Sequence, residues 1–338
     1  MKRALVIGGT GFVGMNLVDA LLERGHEVAV TYRKKSITVF VSKRDVELLP
    51  GDLDDPESLV AAMRGKDVVF LSGGHYPRYS LDRRGAIDAG VRGVRNACRA
   101  ALEAGVGRLV YTSSIATLER LGDERLATED DIPAAAPAES VYRATKWTME
   151  RELEFAREAG LDVVCVLPGG CVGPWDARMG TGGLLVGTVR AALPWMVDGL
   201  VNVVDVRDVA RAHLRAAQLE RPAQRYNVAG HILPLSELLE RIVARYGGSL
   251  PPERLDAEQA RARAEAEERA AAPQRGRVPM PRELVDIITW SQPVSSARAL
   301  EDLDLEFTPL DDALDGAHAW FERFRYLPKT SAQPRRTP

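Results

Sequence analysis

The chain has 338 residues, with 45 Lys+Arg against 48 Asp+Glu for a formal charge of −3, and 45% of its residues are hydrophobic. Such a chain buries a sizeable core and forms one large or two closely joined domains, which excludes disorder as its main state. Without net positive charge it has no overall field to draw phosphate backbones or anionic lipid, so neither a nucleic acid nor a membrane surface is expected as a partner.

The first fifteen residues set Lys2 and Arg3 before an apolar run, the outline of a signal peptide. Gly8, Gly9, Gly11 and Gly14 interrupt the run, and Asn16, Asp19 and Glu23 follow where a small-residue cleavage site is needed, so export is not expected. Ala4–Ile7 is instead a continuously apolar strand of the kind covered on both faces in a parallel sheet. Phe12–Arg24 follows as a helix, with Val13, Leu17, Val18, Leu21 and Leu22 at helical spacing and Gly25 as its left-handed stop. Glu27–Tyr32 reads as a second strand. The rhythm continues with a helix at Pro56–Arg64, a strand at Asp67–Leu71, a helix at Ala86–Ala104, a strand at Arg108–Thr112, a helix at Ser140–Ala159 and a strand at Val163–Leu167. Strand and helix alternating in this way mean right-handed crossovers and an α/β, doubly wound parallel (Rossmann) sheet.

After Pro168 the pattern loosens, and Val201–Val206 reads as a strand returning to that sheet. The expected division is a cofactor-binding domain of residues 1–168 plus 201–229, a smaller discontinuous substrate lobe of 169–200 plus 230–327, and a flexible tail from 328 to 338. Ala257–Ala272 alternates Ala, Glu and Arg and predicts a solvated helix supported by charge pairs. Thr330–Pro338 is polar and rich in Pro and Arg, the composition of a frayed end. No stretch keeps eighteen apolar residues together, so no membrane span is expected. Cys98, Cys165 and Cys171 form no CxxC pair, which fits a reducing compartment and a cytoplasmic location.

Gly8, Gly11 and Gly14 form GxxGxxG between the first strand and the first helix. Glycine there permits the tight turn, the approach of backbone to a pyrophosphate and close helix–strand packing, while the helix N-terminus offers unpaired N–H groups. A dinucleotide site is expected. Enzymes that use the 2′-hydroxyl cofactor carry an acidic residue at the end of the second strand. Here Tyr32 is followed by Arg33, Lys34 and Lys35, a cluster suited to a 2′-phosphate, so NADP(H) is expected, with NAD as the alternative. Asp52 is read either as an acceptor for the adenine amino group or as a helix cap before Pro56.

Tyr142-Arg143-Ala144-Thr145-Lys146 sets a phenol and an ammonium four residues apart on one helix face. A phenol of pKa about 10 is a poor acid–base group at neutral pH, and lowering it by about three units takes roughly 4 kcal/mol of preferential phenolate stabilisation. A neighbouring lysine supplies charge of the required sign. The hydroxyls Thr112, Ser113 and Ser114 at the end of the Arg108–Thr112 strand stand close upstream.

These stretches resemble the extended short-chain dehydrogenase/reductases. The likeness runs from Lys2 to Leu327 through Gly8–Gly14, Leu109–Ser114, Tyr142–Lys146, Leu167-Pro168-Gly169, Val172-Gly173-Pro174 and Asp205–Ala210, and is greatest to the dihydroflavonol-4-reductase and 3β-hydroxysteroid dehydrogenase branch. It implies Tyr142 as general acid/base, Lys146 on the nicotinamide ribose and lowering the pKa of Tyr142, and Ser114 on the reacting oxygen. Ser113 is the rival, since adjacent strand residues point to opposite faces. It also implies a cofactor site of Gly8, Thr10, Gly11, Phe12, Val13 and Gly14 in the first turn, Arg33 and Lys34 after the second strand, Asp52 and Leu53 after the third, Leu71, Ser72 and Gly73 after the fourth, and Thr112, Tyr142, Lys146 and Pro168. Two departures stand out. The Gly90–Asn96 stretch lacks the Asn with which many relatives begin, and Ser72-Gly73-Gly74-His75-Tyr76 replaces a small Ala pair, leaving His75 near the cofactor without a defined role. His26, His213, His231 and His318 are scattered without metal-ligand spacing, so no metal site is expected.

The expected activity is hydride transfer between nicotinamide and a secondary alcohol or ketone. Trp175, Met179, Trp195 and Met196 in the substrate lobe favour a bulky, largely apolar small molecule such as a sterol, terpenoid or polyketide-like ketone, although core packing explains any one of them as well. The alternatives are a nucleotide-sugar epimerase or dehydratase with retained NAD, and a non-catalytic NADP-sensing protein. A homodimer is the assembly considered.

Overall fold

The computed structural model describes residues 2–76, 81–122, 125–274 and 278–328; the tail expected at Thr330–Pro338 lies outside them. The strands β1 (Arg3–Ile7), β2 (Glu27–Tyr32), β3 (Glu47–Pro50), β4 (Val68–Leu71), β5 (Arg108–Thr112) and β6 (Val163–Pro168) alternate with the helices α1 (Phe12–Glu23), α2 (Pro56–Met63), α3 (Arg83–Glu103) and α4 (Val141–Glu158), the last two strands being joined by α4. β4 and β6 are buried at every position, which is why they read as unbroken apolar runs. Helix starts follow local capping chemistry. α3 begins three residues before its apolar pattern because the Asp82 carboxylate accepts from Gly85 N at 2.9 Å, and Ser140 Oγ accepts from Arg143 N at 3.1 Å at the start of α4.

The chain continues as β7 (Gly170–Val172), α5 (Gly182–Val189), β8 (Met196–Val197), β9 (Leu200–Asp205), α6 (Val206–Gln218), β10 (Arg225–Val228), β11 (His231–Pro234), α7 (Leu235–Tyr246), β12 (Arg254–Leu255), α8 (Ala257–Ala271), α9 (Arg282–Trp290), α10 (Ala297–Asp302) and α11 (Leu310–Arg323). The main sheet has seven parallel strands in the order β10-β6-β5-β4-β1-β2-β3. Strand order reverses between β1 and β4, and the crevice outside their carboxyl ends is where such sheets bind ligands. There the glycine turn after β1 touches the turn after β4, whose Ser72 hydroxyl meets that of Thr112 at the end of β5.

The expectation that Val201–Val206 returns to the main sheet is corrected. That segment is β9, which pairs in parallel with β7 and antiparallel with β11 in a separate three-stranded sheet. The strand that joins β6 is β10, in register from Arg225 opposite Cys165 to Val228 opposite Pro168. The reason is the crossover: α6 lays Val209, Ala210 and Ala212 onto the core beneath the sheet, so the strand that follows the helix, rather than the one before it, is delivered alongside β6.

α8 carries the expected charge pairs, Arg263 with Glu267 and Arg269 with Glu265, and rests on the core through Ala260 and Ala264. α3 and α4 pack closely because a Cβ on Gly90 would lie 2.8 Å from Thr145 Cγ2. The Gly90–Asn96 departure thus serves packing, and Asn96 Nδ2 donates to Leu53 O at 2.7 Å. Among the described residues no helix is long and apolar enough to cross a membrane.

Candidate active site

At the β1–α1 turn Gly8 takes φ +88°, a conformation side chains rarely adopt, and a Cβ on it would lie 2.4 Å from Gly73 N. A Cβ on Gly14 would lie 2.2 Å from Gly8 O. The turn after β1 and the turn after β4 therefore touch backbone to backbone, so the segment that runs on through Thr10, Phe12 and Val13 starts against Ser72 and Gly73, which follow Leu71 at the end of β4. α1 has Gly11 at its N-cap, with no side chain capping it and no acidic residue in its first turn. Its first N–H groups and the positive end of its dipole are left for an anion, so the cradle fits a dinucleotide pyrophosphate.

Past β2, Arg33, Lys34 and Lys35 are exposed on a turn closed by Arg33 N donating to Ser36 Oγ at 2.9 Å. Among the described residues no carboxylate is ion-paired with any of the three. Asp52 shapes the next turn, its N–H donating to Ser58 Oγ at 3.1 Å and its Oδ1 accepting from Asp54 N at 3.2 Å. The helix-cap reading of Asp52 is corrected, because Asp55 caps α2 through Ser58 N at 3.3 Å. Pro168 ends β6 beside Val228.

The adjacent hydroxyls after β5 face opposite ways. Ser113 Oγ donates to the buried carboxylate of Glu150, whereas Ser114 is hydrogen-bonded to the Tyr142 phenol. The structure brings Ser114, and not Ser113, to Tyr142. Lys146 Nζ donates to Thr112 O at 3.1 Å and lies 5.3 Å from the centre of the Tyr111 ring. Burial pulls its ammonium down to about 8, opposed by the carboxylate of Glu150 one turn further along α4. Burial also pushes the Tyr142 phenol well above its ordinary value, the Tyr76 phenol adds to this, and the bond to Ser114 opposes it. A phenol held that high needs cationic help to ionise, and Lys146 is the cation on its helix face. Arg143 points elsewhere: it is buried, stacks 4.0 Å from the Trp290 ring and donates to Ala116 O at 3.1 Å, pinning the turn that carries Ser114.

Residues distant in sequence complete the site. Glu283 of α9 is buried and accepts from Ser140 Oγ at 2.7 Å, Val141 N at 3.1 Å and Tyr142 N at 3.0 Å, so a carboxylate from another part of the chain caps the helix that bears Tyr142. Nothing in the local sequence around Glu283 signals this. The Tyr76 ring lies 4.9 Å from that of Tyr142, in the segment whose composition departs from the family pattern, while His75 beside it is exposed.

Of the two readings of Trp175, Met179, Trp195 and Met196, the structure favours core packing. Trp195 and Met196 are buried in the core of the smaller part, with Trp195 Nε1 donating to Glu267 at 3.0 Å. Trp175 packs between Phe40 and Phe324, and Met179 packs at the edge of the same cluster. Helices α5, α7 and α11 must cover an apolar interior of their own, and these side chains fill it.

His213, fully buried on α6, has its imidazole pulled down to about 4 by burial. Its unfolded pKa is about 6.5, so between these values the unfolded chain binds a proton that the native protein does not. Stability should therefore fall by up to about 1.4 kcal/mol per pH unit as pH drops from about 6.5 towards 4. Denaturant midpoints across that window should show this slope, and a shallower one in His213→Gln; equal slopes would exclude His213 as its source.

Residues 4–229 match the family described as the NAD dependent epimerase/dehydratase family. The chain belongs to that family. The expected likeness to extended short-chain dehydrogenase/reductases is thus borne out, and this epimerase/dehydratase-family protein is an NAD(P)-dependent enzyme. It is 32% identical over 328 residues, 95% of each chain, to a Synechocystis protein provisionally named dihydroflavonol 4-reductase. It is 32% identical over 243 residues, 70% of this chain and 72% of the other, to sterol demethylase protein B of Methylococcus capsulatus. The crystal structure of gox2253 superposes with a TM-score of 0.83 at 29% identity, covering 97% of this chain and 100% of that one.

Proposed function

We propose that this family member is an NADP(H)-dependent oxidoreductase that interconverts a secondary alcohol and a ketone on a bulky, largely apolar small molecule. The observation that carries the reading is the convergence of Ser114, Tyr142 and Lys146 beside a glycine cradle at the reversal of strand order. Bound nicotinamide supplies the hydride acceptor or donor. Tyr142 exchanges the proton with the substrate oxygen, taking it in oxidation and giving it in reduction. Ser114 donates a hydrogen bond to that oxygen, and Lys146 holds the nicotinamide ribose while its charge favours the Tyr142 phenolate. Glu283 keeps the first turn of α4 in place. The apolar nature of the substrate is supported by the Tyr76 ring over Tyr142 and by relatives named for sterol and flavonoid chemistry. A screen of cyclic and long-chain alcohols and ketones, read by NADPH absorbance, tests the reading; tightly retained NAD with no net turnover on any of them would favour a nucleotide-sugar epimerase instead.

Cofactor choice is testable separately. The exposed cations Arg33 and Lys34 suit a 2′-phosphate, and one charge-assisted contact contributes about 1.5–3 kcal/mol. Arg33→Asp is expected to weaken NADPH by about 10- to 150-fold while leaving NADH nearly unchanged, measured by cofactor fluorescence. Equal loss for both cofactors would remove Arg33 from the 2′-phosphate site.

A further inference from the structure

His213 belongs to none of the groups just assigned, yet it reaches the site from beneath. Its Nδ1 lies 2.7 Å from Val209 O, one turn earlier on α6, and its Nε2 lies 2.7 Å from Thr112 Oγ1. A carbonyl only accepts, so Nδ1 carries the proton and Nε2 presents its lone pair. The single hydroxyl proton of Thr112 is then committed to Nε2. The contact of 3.0 Å between the Thr112 and Ser72 hydroxyls is accordingly made by Ser72 donating. The backbone of the same Thr112 bears Lys146, whose Nζ donates to its carbonyl at 3.1 Å. One imidazole thereby settles the direction of the two hydroxyl bonds that run from α6, through the end of β5, to the turn after β4 that faces the glycine cradle. Both ring nitrogens of this buried histidine are thus satisfied, and the partner of the second is Thr112, which touches both Ser72 and Lys146.

We propose that His213 is a positioning residue of the active site: as a neutral acceptor it locks Thr112, and through Thr112 it holds the Ser72 hydroxyl and the carbonyl on which Lys146 rests in the arrangement that receives the cofactor. The inference rests on the reading of Lys146 as a ribose-binding and phenol-tuning group, and it adds a residue on α6 to that machinery. It requires the acceptor at Nε2 rather than the bulk of the ring. A side chain that restores the acceptor restores the site, and one that merely fills the space does not.

Three variants, His213→Leu, His213→Gln and Thr112→Val, are compared with Lys146→Met, using NADPH as the probe. Two quantities are read: the NADPH dissociation constant by fluorescence, and the phenolate absorbance of the NADP⁺ complex against pH, taken as the difference from Tyr142→Phe. His213→Leu is expected to weaken NADPH about tenfold, the loss of about one hydrogen bond, and to move the Tyr142 titration up by about one pH unit as the ammonium shifts. Thr112→Val removes only the hydroxyl and should reproduce both changes if His213→Leu fails to fold. His213→Gln can place an amide oxygen near the Nε2 position and should recover most of the loss. The double variant His213→Leu/Thr112→Val should be no worse than the worse single one, because both break the same link. Losses that add, or a Gln variant as impaired as the Leu variant, would mean that His213 supports the fold alone and would overturn the proposal. If Lys146→Met weakens NADPH while His213→Leu and Thr112→Val do not, the positioning role fails and the reading of Lys146 stands. If Lys146→Met itself leaves NADPH binding unchanged, that reading fails and the proposal falls with it.

Discussion

Tyr142→Phe is expected to lower turnover by a factor of about 10²–10⁴, the usual contribution of one general acid/base, with NADPH affinity nearly unchanged. Phenylalanine keeps the ring that packs 4.9 Å from Tyr76 and leaves the cap from Glu283 to the Tyr142 N–H untouched, so the start of α4 should not move. What disappears is the hydroxyl bonded to Ser114 and the proton it exchanges. Steady-state rates on a substrate from the screen, together with NADPH fluorescence titration, separate the two effects. Near-normal hydride transfer in the variant would show that another group handles the proton. A matching loss of cofactor binding would show instead that the substitution disturbs the helix.

Gly14→Ala should damage the site by a different route, through cofactor binding rather than turnover. The added Cβ would stand 2.2 Å from Gly8 O, 2.7 Å from Gly8 C and 2.8 Å from Gly9 Cα, all backbone atoms that cannot rotate away. Either the β1–α1 turn opens or α1 shifts, and both spoil the N–H groups aimed at the pyrophosphate. Overpacking of this kind costs about 1–3 kcal/mol, which corresponds to about 5- to 150-fold in NADPH affinity if it falls on the bound state. Gly122→Ala is the control, since nothing lies within 4 Å of a Cβ there and its backbone needs no glycine. Calorimetric titration with NADPH and thermal unfolding of both variants check the expectation. An unchanged affinity in Gly14→Ala would mean that the cradle is not where the cofactor binds.

Much of the site is legible in the order of residues along the chain. GxxGxxG between an apolar run and an amphipathic one, a cation cluster where an acid would accept a ribose hydroxyl, and a tyrosine four residues before a lysine are each short-range patterns. The geometry that gives them meaning is set by neighbouring residues. The start of α4 at Ser140 and the stop of α1 at Gly25 are legible for the same reason, because such caps and left-handed stops act within one turn of the chain.

The remainder is decided by contacts between distant residues. Alternation along β5 shows that Ser113 and Ser114 face opposite ways, but only the packing of α4 determines that Glu150 lies behind one and Tyr142 before the other. Glu283 reaches the N-terminus of α4 across 141 positions, and His213 reaches Thr112 across 101, separations at which periodicity and spacing carry no signal. The strand that completes the sheet is β10 and not β9 because the chain comes alongside β6 only after α6 has crossed over, although β9 is the more apolar of the two. Trp195 and Met196 mark the limit most plainly. A large apolar side chain has the same reason to leave water whether the partner it finds is a substrate or the rest of its own chain, and only the assembled structure determines which.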